Sequence, residues 1–174
     1  DADFIYEAFR LGAGGSILAC RTAAENHTTA LNLAGGFHHA FPDKAEGFCY
    51  INDVAVGVAE VQATDLTDRV MVVDCDLHQG NGTAYIFQGD PDVFTFSIHQ
   101  ENLYPLKQKS DCDVGLMNFC TGDKYMANLE KHLLPALDKH RPDLVLYVAG
   151  ADPYEKDQLG MLLLSIEDLR RRDD

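Results

Sequence analysis

The segment Val72-Val73-Asp74-Cys75-Asp76-Leu77-His78 decides the fold class of this chain of 174 residues. A run of β-branched residues that ends in a carboxylate is typical of a buried strand. Side chains two positions apart in a strand point to the same face, so Asp74, Asp76 and His78 can project together from one edge of a sheet. The segment therefore predicts a strand over residues 69–76 with a polar cluster at its end.

Two other segments place similar side chains after apolar runs. Leu144–Ala151 is an apolar strand that delivers Asp152 just past its end, and Gly35-Gly36-Phe37-His38-His39 follows a short apolar segment, residues 31–33. In open parallel sheets, binding sites lie beyond the carboxyl ends of the strands. Two carboxylates and one imidazole suit a divalent metal with open coordination positions, and an adjacent histidine pair suits proton transfer. These residues predict a metal-dependent hydrolase.

Each of these signals also has a simpler structural explanation. An aspartate at the end of a strand commonly caps the next helix, and adjacent histidines are frequent in surface loops. Three polar groups on one strand face, with Asp152 at the end of a second strand, favour the metal site. Gly35-Gly36 permits unusual backbone angles and close approach, which favours a site at the histidine pair. Asp111 and Asp113 are expected in a solvated acidic loop.

Strands and helices alternate along the chain. Helices are predicted over residues 3–11, 16–24, 53–62, 83–88 and 123–140, with Gly12 ending the first and Ser165 capping a last one. Strands are predicted over residues 31–33, 69–76, 93–99 and 143–150. Strands that are apolar throughout suit a parallel sheet covered on both faces. The pattern therefore predicts an α/β fold, a three-layer α-β-α arrangement with a mostly parallel sheet.

The composition excludes some classes of function. A net charge of −14 argues against a nucleic-acid-binding surface and favours cationic partners such as lysine-rich peptides or polyamines. The five cysteines show no C-x-x-C spacing, so reduced thiols in a cytosol-like compartment are expected. No uninterrupted run of about 18 apolar residues occurs, so we expect no membrane span.

Five motifs follow one another along the chain: G-G-F-H-H-A-F (35–41), E-G-F-C-Y-I-N-D (46–53), D-C-D-L-H-Q-G-N-G (74–82), F-S-I-H (96–99) and A-G-A-D-P-Y-E-K-D-Q-L-G (149–160). In this order they resemble the zinc-dependent histone deacetylase family, which has the arginase-type fold. The Q-G-N-G ending and the A-G-A-D-P-Y block are more similar to the class IV branch and its bacterial relatives than to class I. The resemblance extends over essentially the whole chain, from about residue 3 to residue 174.

The resemblance implies a role for each residue of the predicted centre. His39 would be the general base and acid, with His38 as its electrostatic partner and Asp74 paired with His38. Asn81 stands where some family members have an aspartate facing the second histidine. The ligands of a zinc ion, or of iron(II), would be Asp76, His78 and Asp152.

The resemblance also implies a substrate channel and structural potassium ions. Gly47, Phe48 and Tyr104 would belong to the wall of an acyl-lysine channel. One potassium site would use Asp74, Asp76, His78, Ser97 and Ile98. A second would use Phe87, Asp90 and Val93.

The chain departs from the family pattern in one respect. Family members carry a glycine-rich segment ending in a tyrosine well downstream of the last metal ligand, and none of the seven tyrosines here follows a Gly-Gly run. We therefore expect residues 1–174 to be a single but partial catalytic domain, with a sheet incomplete at both ends.

The expected activity is hydrolysis of the amide of N-acetyl-lysine in peptides or proteins, in the cytoplasm, or in the nucleus of a eukaryote. Two alternatives stay open. One is an enzyme that acts on acetylpolyamines or long-chain acyl-lysine. The other is a truncated domain that binds zinc without turnover.

Overall fold

The computed structural model describes residues 2–174. Its helices are α1 (Ala2–Asn26), α2 (Asp53–Ala63), α3 (Asn81–Ile86), α4 (Gly122–His140) and α5 (Ile166–Asp173). Its strands are β1 (Val70–Asp74), β2 (Val93–Gln100), β3 (Cys112–Leu116) and β4 (Leu144–Val148). None of the described helices is both long and apolar enough to cross a bilayer.

The four strands form one parallel sheet in the order β3-β2-β1-β4. Helices cover both faces, so the predicted α/β fold with a parallel sheet is confirmed. β1 is buried along its whole length because it lies in the interior of the sheet, between β2 and β4. The carboxyl ends of β1 and β4 are neighbours, since Asp74 pairs with Val148 in the register of the two strands.

Alternate side chains of β1 supply two hydrophobic cores. Val70 and Val72 pack with the valines of α2 on one face of the sheet. Met71 and Val73 pack on the other face with the buried residues of α4, Tyr125 among them. The period of two that a strand imposes thus fixes β1 between both helical layers. Its carboxyl end is held in place from both sides.

The predicted break at Gly12 is wrong, because α1 is one continuous helix through Asn26. Glycine serves here for close packing. A Cβ atom added at Gly12 would lie 2.6 Å from the carbonyl oxygen of Ala34, and one at Gly15 would lie 2.8 Å from Oδ1 of Asn32. The segment 27–37 therefore approaches α1 more closely than a larger residue would permit.

The strand predicted over residues 31–33 is also wrong. Leu31 and Leu33 are 79% and 92% exposed. The side chain of Asn32, which lies between them, forms hydrogen bonds to α1. The side-chain amide of Asn32 donates to the carbonyl oxygen of Gly12 at 2.9 Å and to Oγ of Ser16 at 2.8 Å. These contacts hold the segment against the helix instead of in a sheet.

A strand stands where an acidic loop was predicted. β3 includes Asp113, and its carboxylate accepts a hydrogen bond from Nε2 of Gln79 at 2.6 Å. Asp111 accepts from the backbone and the hydroxyl of Thr95 at 2.8 and 3.0 Å. Both carboxylates bind protein groups, which is why an acidic sequence can form a strand at the edge of the sheet.

Candidate metal centre

The polar cluster lies where the carboxyl ends of β1 and β4 come together. The amide of Cys75 donates to the carbonyl oxygen of Val148 at 3.0 Å, which extends the pairing past the last residue of β1. A Cβ atom added at Gly150 would collide with Cα of Asp76. Only glycine permits so close an approach of the two strand ends, and this approach brings Asp76 and Asp152 to one point.

Asp76, His78 and Asp152 form a compact group whose ligand atoms lie within 4.8 Å of one another. Nδ1 of His78 lies 3.1 Å from Oδ1 of Asp76 and 3.0 Å from Oδ2 of Asp152. The remaining oxygen of Asp152, Oδ1, accepts from the amide of Leu77 at 3.0 Å. Two carboxylates therefore converge on one imidazole nitrogen, at the strand ends where the sequence predicts a polar cluster.

This donor set fits a divalent metal. Carboxylate oxygens and an imidazole nitrogen are accepted ligands of zinc, and three protein ligands leave positions open for water and substrate. Burial lowers the pKa of His78, but the bonds to Asp152 and Asp76 outweigh this effect and raise it to about 9. Burial raises the pKa of Asp76, yet the bonds from His78 bring it down to about 2. A cation is thus favoured between the carboxylates. That the ion is zinc stays a prediction.

His38 and Asp74 form a buried pair directly beside this group. Nδ1 of His38 lies 2.6 Å from Oδ2 of Asp74, and Nε2 lies 3.8 Å from Oδ1 of Asp76. Burial would lower the pKa of His38, but the charge and hydrogen bond of Asp74 outweigh it and raise the pKa to about 9. The contact with Asp74 therefore favours the protonated, positively charged form of His38 next to the predicted metal ligands.

The pKa of His39 is shifted in the opposite direction. Its Nδ1 lies 2.7 Å from Oδ1 of Asn81, and its ring centroid lies 4.1 Å from that of His38 and 5.9 Å from that of His78. Burial and the positive charge of His38 lower the pKa of His39 to about 4, against the hydrogen bond with Asn81. The surroundings therefore favour the charged form of His38 and the neutral form of His39, and these two forms suit different tasks.

The predicted channel residues lie at the entrance to this site. Gly47 and Phe48 form a tight turn, with φ of 54° and 64°, and Phe48 is 91% exposed. A Cβ atom at Gly47 would collide with Cδ2 of His39, so the turn passes directly over that imidazole. The ring of Tyr104 lies 5.2 Å from that of His39 and is 45% exposed. Their binding of substrate stays a prediction.

The predicted potassium ligands fall at opposite ends of the sheet. Ser97 pairs with Asp74 in the register of β1 and β2, so the set with Ser97 and Ile98 lies beneath the metal group. The second set lies near the start of β2. There the side chains of Phe87 and Val93 belong to a hydrophobic core. Potassium binding at either place stays a prediction.

One residue that the sequence analysis overlooked holds the histidine pair in place. Asp53 is 1% exposed at the start of α2 and accepts hydrogen bonds from the amides of Gly36 and Phe37, at 3.0 and 2.6 Å. Oγ of Ser16 also donates to it, at 2.5 Å. The segment before His38 is therefore anchored by a buried carboxylate. In the sequence, Asp53 is marked by its position at the start of a helix and at the end of the motif of residues 46–53, and neither feature indicates its backbone partners.

A second overlooked residue, Arg172, ties the two strand ends together. Its guanidinium donates to the carbonyl oxygens of Cys75 at 3.1 Å and of Gly150 at 2.7 Å. Cys75 directly precedes the predicted ligand Asp76 along the chain, and Gly150 lies two residues before the predicted ligand Asp152. Burial would lower the pKa of Arg172, but its hydrogen bond and charge interaction with Asp173 outweigh this effect and raise the pKa. The guanidinium is therefore charged under all ordinary conditions.

Comparison with known proteins identifies relatives of the chain. A family model described as "Histone deacetylase domain" matches residues 2–174. An uncharacterised protein of Picosynechococcus is 47% identical over 161 residues, which cover 92% of this chain and 53% of that protein. Histone deacetylase 2 of Arabidopsis thaliana is 34% identical, over 95% of this chain and 44% of its own length.

A solved structure also resembles the fold. The crystal structure of the HDA15 HD domain matches with a TM-score of 0.82 at 28% identity, over 94% of this chain and 52% of that one. The chain thus spans about half the length of the relatives that it matches.

Replacing Asp152 tests the metal centre. We expect Asp152→Ala to weaken binding of Zn²⁺ at least about 10²-fold, since removing even a supporting partner of a ligand costs about 10- to 100-fold in affinity. Calorimetric titration of the chain with Zn²⁺ measures this. The matched control is Glu155→Ala, an exposed carboxylate three residues on. Equal affinity of the two variants for Zn²⁺ would show that Asp152 is not a ligand.

Replacing Asp53 tests the anchor of the histidine pair. We expect Asp53→Asn to lower the free energy of unfolding by about 1–3 kcal/mol, because an amide group would face two backbone N–H donors with only one acceptor. The amides of Gly36 and Phe37 should also exchange faster with deuterium. Asp43→Asn, an exposed carboxylate, is the control. Stability equal to that of the control would contradict the anchoring role.

Proposed function

Since this chain belongs to the histone deacetylase family, we propose that it supplies the metal centre of an enzyme that hydrolyses the amide of N-acetyl-lysine. The observation that carries this proposal is a pair of stacked imidazoles at the edge of a three-ligand site, with His38 bonded to the carboxylate of Asp74 and His39 to the amide of Asn81. A hydrolase needs a base for the attacking water and a fixed charge for the developing oxyanion. The two histidines provide one each.

Asp76, His78 and Asp152 would hold the divalent ion, zinc or iron(II). When bound, such an ion supplies Lewis-acid polarisation of the substrate carbonyl and of the attacking water. His78 would have to bind such an ion through a deprotonated ring nitrogen, so Nδ1 would give up any proton that it shares with the two carboxylates.

His39 would move the proton. Its Nδ1 donates to the amide oxygen of Asn81, which leaves the lone pair on Nε2 to accept a proton from water. A low pKa keeps this imidazole neutral before the reaction and makes it a ready acid afterwards. It can then deliver the proton to the nitrogen of the leaving lysine.

His38 would contribute a fixed positive charge. The bond to Asp74 holds the proton on its ring and fixes the orientation of the ring. Both side chains are buried, so the positive charge on the ring of His38 acts through little water. That charge would stabilise negative charge that develops on the substrate nearby. Phe48 and Tyr104, at the entrance, would contact the methylene groups of the acyl-lysine side chain.

A small acylated amine is a second candidate substrate, and the net charge of −14 favours a cationic one. The same site chemistry would cleave acetylspermidine or a long-chain acyl-lysine. Parallel assays with an acetyl-lysine peptide, a myristoyl-lysine peptide and acetylspermidine separate these substrates. Absence of turnover on all three by the longest natural form of the protein would favour a domain that binds metal without catalysis.

Replacing His39 tests the assigned base. In the longest natural form of the protein, we expect His39→Ala to lower kcat on an acetyl-lysine peptide by about 10²–10⁴-fold, the usual contribution of a general base. Bound metal, measured by elemental analysis, should not change. His132→Ala, a partly exposed histidine on α4, is the control. An unchanged kcat in the His39 variant would show that another group is the base.

A further inference from the structure

Glu46 contacts the site through Asn81. Its Oε1 accepts a hydrogen bond from Nδ2 of Asn81 at 2.8 Å, and Oδ1 of the same amide lies 2.7 Å from Nδ1 of His39. A carboxylate, an amide and an imidazole are thus connected in series. The two residues at the ends of this series are seven positions apart in the sequence, and Asn81 joins them from the start of α3.

The chemistry of the three groups fixes the direction of both hydrogen bonds. A carboxylate only accepts, so the NH₂ end of the Asn81 amide must face Glu46. The oxygen of that amide must then face His39. Because this oxygen also only accepts, Nδ1 of His39 must carry the hydrogen. A neutral imidazole has one N–H, so the lone pair is on Nε2.

Without Glu46, nothing in this series would favour one end of the amide over the other. A rotation of the Asn81 amide by half a turn would present NH₂ to Nδ1 of His39. That nitrogen would then have to accept, and the hydrogen would move to Nε2. An imidazole with hydrogen on Nε2 cannot take a proton there, so the rotated amide would disable the base.

The carboxylate of Glu46 is held firmly enough to select the amide orientation. Its backbone exchanges two hydrogen bonds with Cys49, at 3.1 and 2.9 Å, across the tight turn. Its second oxygen, Oε2, pairs with Nζ of Lys44 at 2.7 Å, and the hydroxyl of Tyr104 donates to Oε1 at 3.3 Å. The side chain is only 23% exposed, so water competes weakly for its oxygens.

We propose that Glu46 is a positioning residue that orients the side-chain amide of Asn81 and thereby sets which nitrogen of His39 carries the hydrogen. Only the expected effect of Glu46 on turnover rests on the proposed function. The orientation itself is a property of the folded chain. Glu46 acts through Asn81 and does not itself contact the reacting atoms.

The test is a direct measurement of the tautomer by NMR. In the chain with ¹⁵N-labelled histidine, two-bond ¹⁵N–¹H correlations of the imidazole show which nitrogen carries the hydrogen. We expect His39 to be the Nδ1–H form in the parent chain and a mixture with the Nε2–H form in Glu46→Ala. Lys44→Met is the matched control, since it removes a partner of Glu46 but leaves the bond to Asn81.

A second background shows whether the effect passes through Asn81. In Asn81→Asp, the side chain has no NH₂ end, so it accepts from Nδ1 of His39 whichever oxygen faces it. Adding Glu46→Ala to that background should leave the tautomer unchanged. A tautomer shift of equal size in both backgrounds would overturn the proposal, because it would not depend on the amide.

Turnover separates this inference from the proposed function. If His39 is the base, Glu46→Ala should lower kcat in proportion to the lost Nδ1–H population, about tenfold when one molecule in ten retains it, with little change in KM. An unshifted tautomer in Glu46→Ala overturns the role of Glu46 whatever the activity. A shifted tautomer together with no turnover by the longest natural form of the protein supports the role of Glu46 and counts against the deacetylase.

Discussion

The crowding of three carboxylates at one edge of the sheet is the constraint on which the rest of the structure depends. Asp74, Asp76 and Asp152 are all largely shielded from water, and like charges so close together are costly unless cations stand between them. Two imidazoles, His38 and His78, can serve as those cations, since the neighbouring carboxylates raise the pKa of both. A divalent ion would serve better than the proton at His78, because it carries two charges and can bond to both neighbouring carboxylates at once. The electrostatics of the three carboxylates therefore favour binding of a divalent cation at this point.

Hydrogen bonds of the surrounding backbone also stabilise the crowded carboxylates and the strand ends that carry them. Amides of the residues that follow β1 point at the acidic side chains, and Arg172 bonds carbonyls that lie just before the two aspartate ligands. Gly150 lets the strand ends approach closely enough for the ligands to meet. On the other side, Asp53 and Glu46 fix the histidine pair, one through the backbone and one through the side chain of Asn81. Asp53 thus supports the position of the histidine pair, and Glu46 contacts the amide that bonds to His39.

The sequence predicts those parts that depend on local pattern. Runs of β-branched residues locate β1, β2 and β4, and the rule that sites follow strand ends is enough to bring Asp76, His78 and Asp152 together. β3 was missed because its sequence, Cys-Asp-Val-Gly-Leu, has a single β-branched residue. Gly12 was misread as a helix stop because the reason for it, the approach of Ala34, lies outside the helix. Asp53 and Glu46 were missed for the same reason, since their partners are 16 and 35 residues away.

The central claim is that one nitrogen and two carboxylate ligands of this chain hold a divalent ion at the strand ends. X-ray absorption spectroscopy of the chain loaded with one equivalent of Zn²⁺ tests it most directly. The account predicts a first shell of oxygen and nitrogen only, with the outer-shell scattering of a single imidazole. The five cysteines are all free and offer an alternative set of ligands. A sulfur shell at about 2.3 Å, or the scattering of two imidazoles, would contradict the account.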